Sequence, residues 1–433
     1  MMSLSLKALL DFRLHLLVLI IACISELIGI AKFDIGIGTV VLLPLLYAFV
    51  IAAFFNKNII PAASKVFDDK TNLVASQWIL ICLMPFIAKF AVGIGPKIND
   101  IIAAGPALIF QEIGNVATVL FALPIAVLVF GMGREAIGAT HSIAREPNIA
   151  LIADKFGLKT PEGIGVMGVY VMGTLFGAIY FSLMAGVVAS WGIFDVRSLA
   201  MACGVGSGSM MGACSTALAE ILPEHKDDIV AFAASSNLLT YATGLFVSVF
   251  VALPFAEWLY KVLSKFRKTK QQNTAHLDDK VIADDHEEAS VSTTVLIQAL
   301  AFVCGLLLLV NWVGTKNDPL TALAGMTILF VCCVLGILIK KVVPLGVPSI
   351  AWVSIVAIIA ASPIMPMSDY VLSATDKLGL LPLITPTLVY AGIAISRSEV
   401  ALFKKSGVKI ATIALLTFTG TYLGSVVIAD FML

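Results

Sequence analysis

Residues 204–216 read Gly-Val-Gly-Ser-Gly-Ser-Met-Met-Gly-Ala-Cys-Ser-Thr. Gly204, Gly206, Gly208 and Gly212 fall within nine residues, and each weakens a helix by about 1 kcal/mol relative to alanine. The surrounding stretch, 198–220, is nevertheless apolar. Irregular backbone at membrane depth is tolerated only where protein buries it or where it lines a cavity. Freed amides at a broken helix end suit anions. Ser207, Ser209, Ser215 and Thr216 add hydroxyls able to hold an anion or coordinate sodium. Close glycine-mediated helix packing is the plainer alternative, but four glycines interleaved with serines exceed what packing needs.

The rest of the chain is made to hold such a segment. It has 433 residues, 59% of them apolar and 13% charged, with a mean hydropathy of +1.00. Soluble domains carry about 25% charged residues, so a cytosolic enzyme is disfavoured. A disordered chain needs low hydrophobicity and high net charge. Lys plus Arg equals Asp plus Glu at 28 each, so no basic excess points to nucleic acid. A helical span takes about 20 apolar residues, and eleven such stretches are present, near 13–30, 37–55, 73–94, 105–131, 164–190, 230–257, 292–313, 319–339, 347–363, 380–396 and 408–430. The class is therefore an all-α polytopic membrane protein. The first apolar run lacks a small-residue cleavage site, so no cleavable signal peptide is expected. The seven cysteines all lie in apolar stretches without zinc spacing, and most read as small packing residues.

Loop charges orient the chain. With the N-terminus cytoplasmic, the inner segments hold 21 Lys and Arg and the outer ones six: Lys32, Lys97, Arg197, Lys226, Lys316 and Lys377. This is the positive-inside pattern. It holds only if 198–220 enters and leaves by one face, as a re-entrant hairpin; otherwise the basic run from Lys261 to Lys270 would lie outside. The C-terminus is then outside. Trp191, Trp258 and Trp312 sit at span ends, as interface anchors do.

Residues 261–291 read as a polar cytoplasmic linker, basic at its start and acidic at its end. Two internal similarities emerge. Residues 131–142, Gly-Met-Gly-Arg-Glu-Ala-Ile-Gly-Ala-Thr-His-Ser, share with 204–216 a Gly-x-Gly, a Gly-Ala and then small polar residues. Each is followed by a charged stretch and a long span, and the two begin on opposite sides, as an inverted repeat requires. A weaker likeness relates 97–131, around Gly105, to 398–430, around Gly407.

Further polar groups qualify as candidates. Glu112 falls within a span beside Gln111, Asn115 and Thr118, and an ionisable group there is a functional candidate by default. Together they form either a hard-cation site or a proton carrier. Ser235, Ser236 and Asn237 open the span after the hairpin. Asn237 and Thr240, like Asn115 and Thr118, are spaced one helical turn apart. Arg134, Thr140, His141 and Ser142 form the cytoplasmic counterpart, where Arg134 can pair with a carboxylate substrate. Glu26 and Lys89 lie near span ends, where a lysine can snorkel. The five histidines are scattered and no Walker motif occurs, which argues against an enzyme or an ATP-driven pump.

The Phe110–Thr118, Gly131–Ser142 and Gly204–Thr216 segments resemble those of an uncharacterised bacterial family of inner-membrane proteins, a domain of unknown function, over most of the chain. In architecture the chain is similar in kind to sodium/glutamate and 2-hydroxycarboxylate symporters. That resemblance implies inverted repeats, two glycine-rich re-entrant loops and an elevator-like core moving within a scaffold. Residues 105–260 would form the core, with 1–104 and most of 292–433 as scaffold and homodimer surface. The function so implied is secondary transport of a small organic anion, coupled to sodium or protons. Arg134, Thr140, Ser142, Ser207, Ser209, Ser215 and Asn237 would bind substrate. Gln111, Glu112, Asn115, Thr118, Thr216, Ser235 and Ser236 would serve the coupling ion. No cofactor beyond a coupling sodium ion is expected. A passive channel, a sensor and an assembly factor are the alternatives.

Overall fold

The computed structural model describes residues 11–34, 39–61, 63, 69–114, 116–143, 146–157, 160–266, 292–343 and 349–433. Helix α1 (Phe12–Ile28) starts where the Asp11 side chain accepts from the Arg13 amide, and it stops at Gly29, whose φ is +77°. An antiparallel ribbon follows, β1 (Ala31–Asp34) with β2 (Thr39–Leu42), pairing Ala31 with Leu42 and Asp34 with Thr39. This corrects the expected helix from residue 37. The run Thr39-Val40-Val41 is β-branched and satisfies its backbone by pairing. Helix α2 (Pro44–Phe54) begins only at Pro44, whose fixed φ suits a first helical position.

The remaining helices are α3 (Asp69–Ile94), α4 (Ile98–Ala103), α5 (Gly105–Gly114), α6 (Ala117–Pro124), α7 (Glu135–Thr140), α8 (Glu146–Lys155), α9 (Pro161–Met172), α10 (Ala178–Ala189), α11 (Val196–Gly204), α12 (Gly208–Ile221), α13 (Lys226–Val247), α14 (Leu253–Ser264), α15 (Thr293–Thr315), α16 (Pro319–Val342), α17 (Ser349–Ala361), α18 (Ser368–Thr375), α19 (Leu380–Ala394) and α20 (Arg397–Met432). Wide i→i+5 turns follow α6, α9 and α13, at Ile125–Val129, Gly173–Gly177 and Ser248–Ala252. Pro124 and Pro254 adjoin two of them, where a missing N–H loosens the ladder. Only residues 261–266 of the expected linker are described, as the end of α14 and a turn; most of it lies outside the described residues.

Among the described residues, six helical stretches are long and apolar enough to cross a membrane: Thr71–Ala103, Gly105–Val129, Pro161–Ala189, Thr293–Thr315, Pro319–Val342 and Gly407–Met432. The bent pair α18–α19, turned by 62°, would make a seventh. The expected spans at α1, α2 and α17 are shorter, with 17, 11 and 13 helical residues. The fold is nonetheless all-α in class, with helices suited to a multi-pass membrane protein.

Helix packing sorts the elements. Helices α1, α2, α3 and α15 pack on α19, and α17 packs on α3 and α16. Helices α5, α6, α9 and α11 pack on α20, and α13 packs on α11. The α5–α20 crossing is glycine on glycine. A Cβ on Gly114 would lie 2.5 Å from the Gly424 backbone, and one on Gly424 would lie 2.4 Å from the Gly114 carbonyl. Gly420 meets Thr118 in the same antiparallel register. Small residues here let two backbones touch, the usual device where lipid leaves no hydrophobic drive between helices.

Polar contacts mark two ends of the bundle. At the first, Lys32 meets Glu220, Lys97 meets Asp228 at 2.8 Å, and the Asp195 amide donates to Asp430. At the second, Arg134 pairs with Glu162, Lys155 with Glu257 at 2.9 Å, and Lys409 donates to the Phe130 carbonyl. The helix from Asp228 to Glu257 and the helix from Lys409 to Asp430 connect the two ends. The segment α11–α12 starts at Asp195 and finishes at Glu220, both at the first end, so it folds back on itself. Helix α7 is tied to the second end through Arg134.

Candidate functional site

The hairpin α11–α12 is built by local rules. Asp195 caps α11 by accepting from the Arg197 amide, and Ser207 caps α12 by accepting from the Met210 amide at 3.3 Å. Between the caps the backbone turns through Val205 and Gly206. Cys203 and Cys214 form a disulfide across the turn, with Cα atoms 5.3 Å apart. This pair therefore does more than fill space. The tip lies against other helices on both sides. A Cβ on Gly204 would strike Ser236 and the Ala233 carbonyl of α13, and one on Gly212 would strike Phe86 and Ile384. Gly208 faces Leu83 and Ile87 of α3.

Beside the tip a buried polar network joins α5, α11 and α13. The Asn237 amide donates to the Gly204 carbonyl at 2.8 Å and the Gly206 carbonyl at 2.9 Å. Ser236 donates to the Met201 carbonyl at 2.7 Å. The Gln111 amide donates to Ser236 Oγ at 2.7 Å and to Glu112 Oε1 at 3.3 Å. Thr240 donates its hydroxyl to Glu112. Ser425 of α20 donates to the Gln111 carbonyl at 3.2 Å. Gln111 is fully buried and Glu112 is 2% exposed. A buried carboxylate is costly unless its lone pairs are met, and here hydroxyl and amide donors converge on it. Among the described residues, Gln111 Oε1, Ser235 Oγ and Thr216 Oγ1 are buried oxygens with no hydrogen-bond partner. Of these, Gln111 Oε1 belongs to the side chain bonded to Glu112, and an amide oxygen with a carboxylate and the Thr240 hydroxyl is the kind of oxygen ligation a hard cation takes.

The other sequence candidates divide. Gln111, Glu112, Ser236 and Asn237 come together. Ser235 and Thr216 are buried on the neighbouring helices α13 and α12. Ser207 and Ser209 sit partly exposed at the tip with hydroxyls 3.1 Å apart. Ser215 bonds its own helix, at the Met211 carbonyl. Thr118 is buried at the α20 crossing. Asn115 lies outside the described residues. Three residues that sequence reasoning did not place in a site belong to this one: Thr240, Ser425 and Met201 through its carbonyl. The Asn237–Thr240 spacing was the available signal for the first.

The second end is self-contained. Arg134 is held by Glu162, which is 3% exposed. Thr140 bonds the Ala136 carbonyl, His141 Nδ1 lies 3.0 Å from the Gly138 carbonyl, and Ser142 Oγ is 3.4 Å from His141 Nε2. Helix α7 is pinned on α9 through glycines: a Cβ on Gly138 would lie 1.9 Å from the Glu162 carbonyl, and one on Gly165 2.0 Å from the Glu135 carbonyl. Helix α20 touches both regions, since Thr417 donates to the Ala139 carbonyl at 3.1 Å.

One crevice adjoins the network, and a larger cavity lies beyond it toward the first end. A crevice between Asn237, Met211 and Tyr241 on one side and Ile87, Phe90 and Ser354 on the other has a volume of 10 Å³, about enough for one water. A larger cavity of 430 Å³ opens at the first end, lined by Lys97, Asp100, Arg197, Asp228 and Phe232. There the Arg197 guanidinium holds the Asp195 carboxyl below its ordinary pKa, by a side-chain bond at 2.9 Å. Among the described residues, no group of three or more His, Cys, Asp or Glu is arranged to hold a metal ion.

A family model described as a protein of unknown function (DUF3100) matches residues 23–262, more than half of the chain and all of the network except Ser425. The chain therefore belongs to the DUF3100 family. No curated protein and no solved structure matches it.

Proposed function

We propose that this DUF3100 protein is a secondary transporter for a small organic anion, coupled to sodium or protons, working by alternating access. The observation that carries the reading is the hairpin α11–α12. It is a broken, serine-bearing segment whose carbonyls are held by Asn237 beside a buried carboxylate. Discontinuous helices of this kind present free backbone groups to substrates and ions at membrane depth. The hairpin from one end and α7 from the other fit an inverted repeat, as does the packing of α5–α6 on α20, whose sequences are alike. The same features support a symporter-like elevator arrangement, with 105–260 as core, joined by α20 from the part otherwise expected as scaffold, and with the α3–α19 group as scaffold and homodimer surface.

The charge pattern supports a bacterial inner-membrane placement with eleven crossings, counting the shorter helices, and the first end outward. Of the loop Lys and Arg, six fall on the side of the first end, with Lys32, Lys97 and Arg197 among them, and 21 on the other, with Arg134, Lys155 and Lys409 among them. Because Glu162 occupies Arg134, the anion is assigned to the hydroxyls of Ser207 and Ser209 and the opening amides of α12, where the tip meets α3. The coupling cation is assigned to Gln111, Glu112 and Thr240.

The test is thermal unfolding of the detergent-purified protein with a panel of small carboxylates, each in sodium and in potassium at two pH values. A ligand at 100 times its Kd stabilises by about 2.7 kcal/mol. A carboxylate shift that requires sodium or acid, lost in Ser209→Ala, supports the reading. Carboxylate flux into proteoliposomes without ion dependence would instead make the protein a facilitator, and no shift with any carboxylate would remove the organic anion.

A further inference from the structure

The 430 Å³ cavity at the first end has no role in the site as described, yet two helices lead from it to the network. Phe232 lines it, and Ser236 lies one turn further along α13, about 6 Å at the helical rise. Pro106 lines it too, and Gln111 lies five residues further along α5, about 7.5 Å. Helices α5 and α13 pack together, so both descents reach the same place. Phe232 is 1% exposed and Ala107 likewise, so these side chains separate the cavity from the buried oxygens beneath. One of those oxygens, Gln111 Oε1, has no donor among the described residues.

The mouth carries both signs of charge: Lys97 and Arg197 line it together with Asp100 and Asp228. Lys97 is bound by Asp228 at 2.8 Å and lies 4.0 Å from Asp100, while Arg197 is bound by Asp195, so each basic side chain there is already paired with a carboxylate. Among the described residues the network below holds one carboxylate, Glu112, so a single positive charge neutralises it.

We propose that this cavity is the entrance through which a monovalent cation reaches Gln111 and Glu112, and that Phe232 is the plug that closes it in this conformation. The proposal rests on the cation assignment above but not on any organic substrate. Proton and sodium share the required chemistry, and the experiment separates them.

The test is cysteine labelling in proteoliposomes with a small, membrane-impermeant cationic thiosulfonate, with each site read by peptide mass spectrometry. Ala103→Cys, on the cavity wall, should react from one face only. Ala107→Cys, one turn above Gln111, should react at least about ten-fold more slowly, a barrier difference of about 1.4 kcal/mol. Adding Phe232→Ala should close that gap and leave Ala103→Cys unchanged. In the opened double variant, sodium at fixed pH or protons without sodium should slow labelling at Ala107→Cys, and Glu112→Gln should abolish the effect. The arm that responds identifies the ion. Phe232→Leu, a milder change, should give an intermediate rate and serves if Phe232→Ala is poorly folded. Equal labelling of both cysteines with Phe232 in place would overturn the plug. Persistent inertness of Ala107→Cys in both Phe232 variants would overturn the route, and indifference to both ions would overturn the cation. Because no substrate is added, failure of carboxylate transport would leave these outcomes intact.

Discussion

Replacing Asn237 by alanine removes one side-chain amide that serves two backbone carbonyls at once, those of Gly204 and Gly206 at 2.8 and 2.9 Å. A hydrogen bond contributes about 1 kcal/mol net, whereas a buried acceptor left unmet costs about 1–3 kcal/mol. The Asn237→Ala cost is therefore about 2 kcal/mol if water replaces the amide. It rises to about 4 kcal/mol if both carbonyls stay dry. The adjoining crevice holds about one water, so one carbonyl can be served and the other cannot, which places the expectation near 3 kcal/mol. The loss is local, because only the hairpin tip is released. Amide hydrogen exchange over residues 203–211 should accelerate by about 100-fold, at 1.36 kcal/mol per decade, while exchange in α16 stays unchanged. Asn237→Asp should be worse, since it sets an oxygen against both carbonyls. Unchanged exchange at the tip in Asn237→Ala would refute the reasoning, because the tip would then owe its shape to the disulfide and the glycine contacts alone.

Gly138→Ala and Gly165→Ala each drive a methyl into a carbonyl about 2 Å away; each should lower stability by about 1–3 kcal/mol in thermal unfolding, while Gly105→Ala, with open space around it, should be neutral or slightly stabilising. Cys203→Ser should break the clasp around the tip, with a loss of about 3 kcal/mol expected from the loop it closes; non-reducing peptide mapping should find Cys203 joined to Cys214 in the parent. The Asp195 pKa is depressed by Arg197, so its contribution is present above the ordinary aspartate range and fades as pH falls below about 4. Arg197→Gln should therefore destabilise at pH 7 but much less at pH 3, seen as converging unfolding temperatures.

The long apolar helices and the folding back of 198–220 on itself were legible in the sequence, because burying four glycines in an apolar run has few physical solutions. The sequence also pointed to Gln111, Glu112, Ser236 and Asn237, since polar groups inside apolar helices must find one another. Thr240, one turn from Asn237, carries only that spacing as a signal, because a threonine inside a helix usually bonds its own backbone; the Thr240 hydroxyl lies 2.8 Å from the Ser236 carbonyl as well as beside Glu112, and its one proton is shared between them. The Arg134–Glu162 pair joins residues 28 apart, a distance at which loop charges give no pairing signal. The β ribbon was hidden for a different reason: Thr39–Leu42 is as apolar as a helix start, and only its pairing with Ala31–Asp34 separates the two. The Cys203–Cys214 bond was equally silent, because an 11-residue separation in an apolar segment fits packing as well as it fits a covalent link.

That ribbon has a mechanical meaning. Its two strands leave α1 and enter α2, yet it is fastened elsewhere: the Thr39 amide donates to Ser190 at 2.9 Å, Gly186 of α10 presses on the Thr39 carbonyl, and Lys32 reaches Glu220 at the end of the hairpin. It is a tether from one packing group to the other. If the two groups slide as the proposed alternating access requires, the ribbon must either peel from α10 or drag the ends of α1 and α2 along. On that proposal the polar fastenings at the rim limit the motion, and Ser190→Ala loosens one of them without touching the buried network.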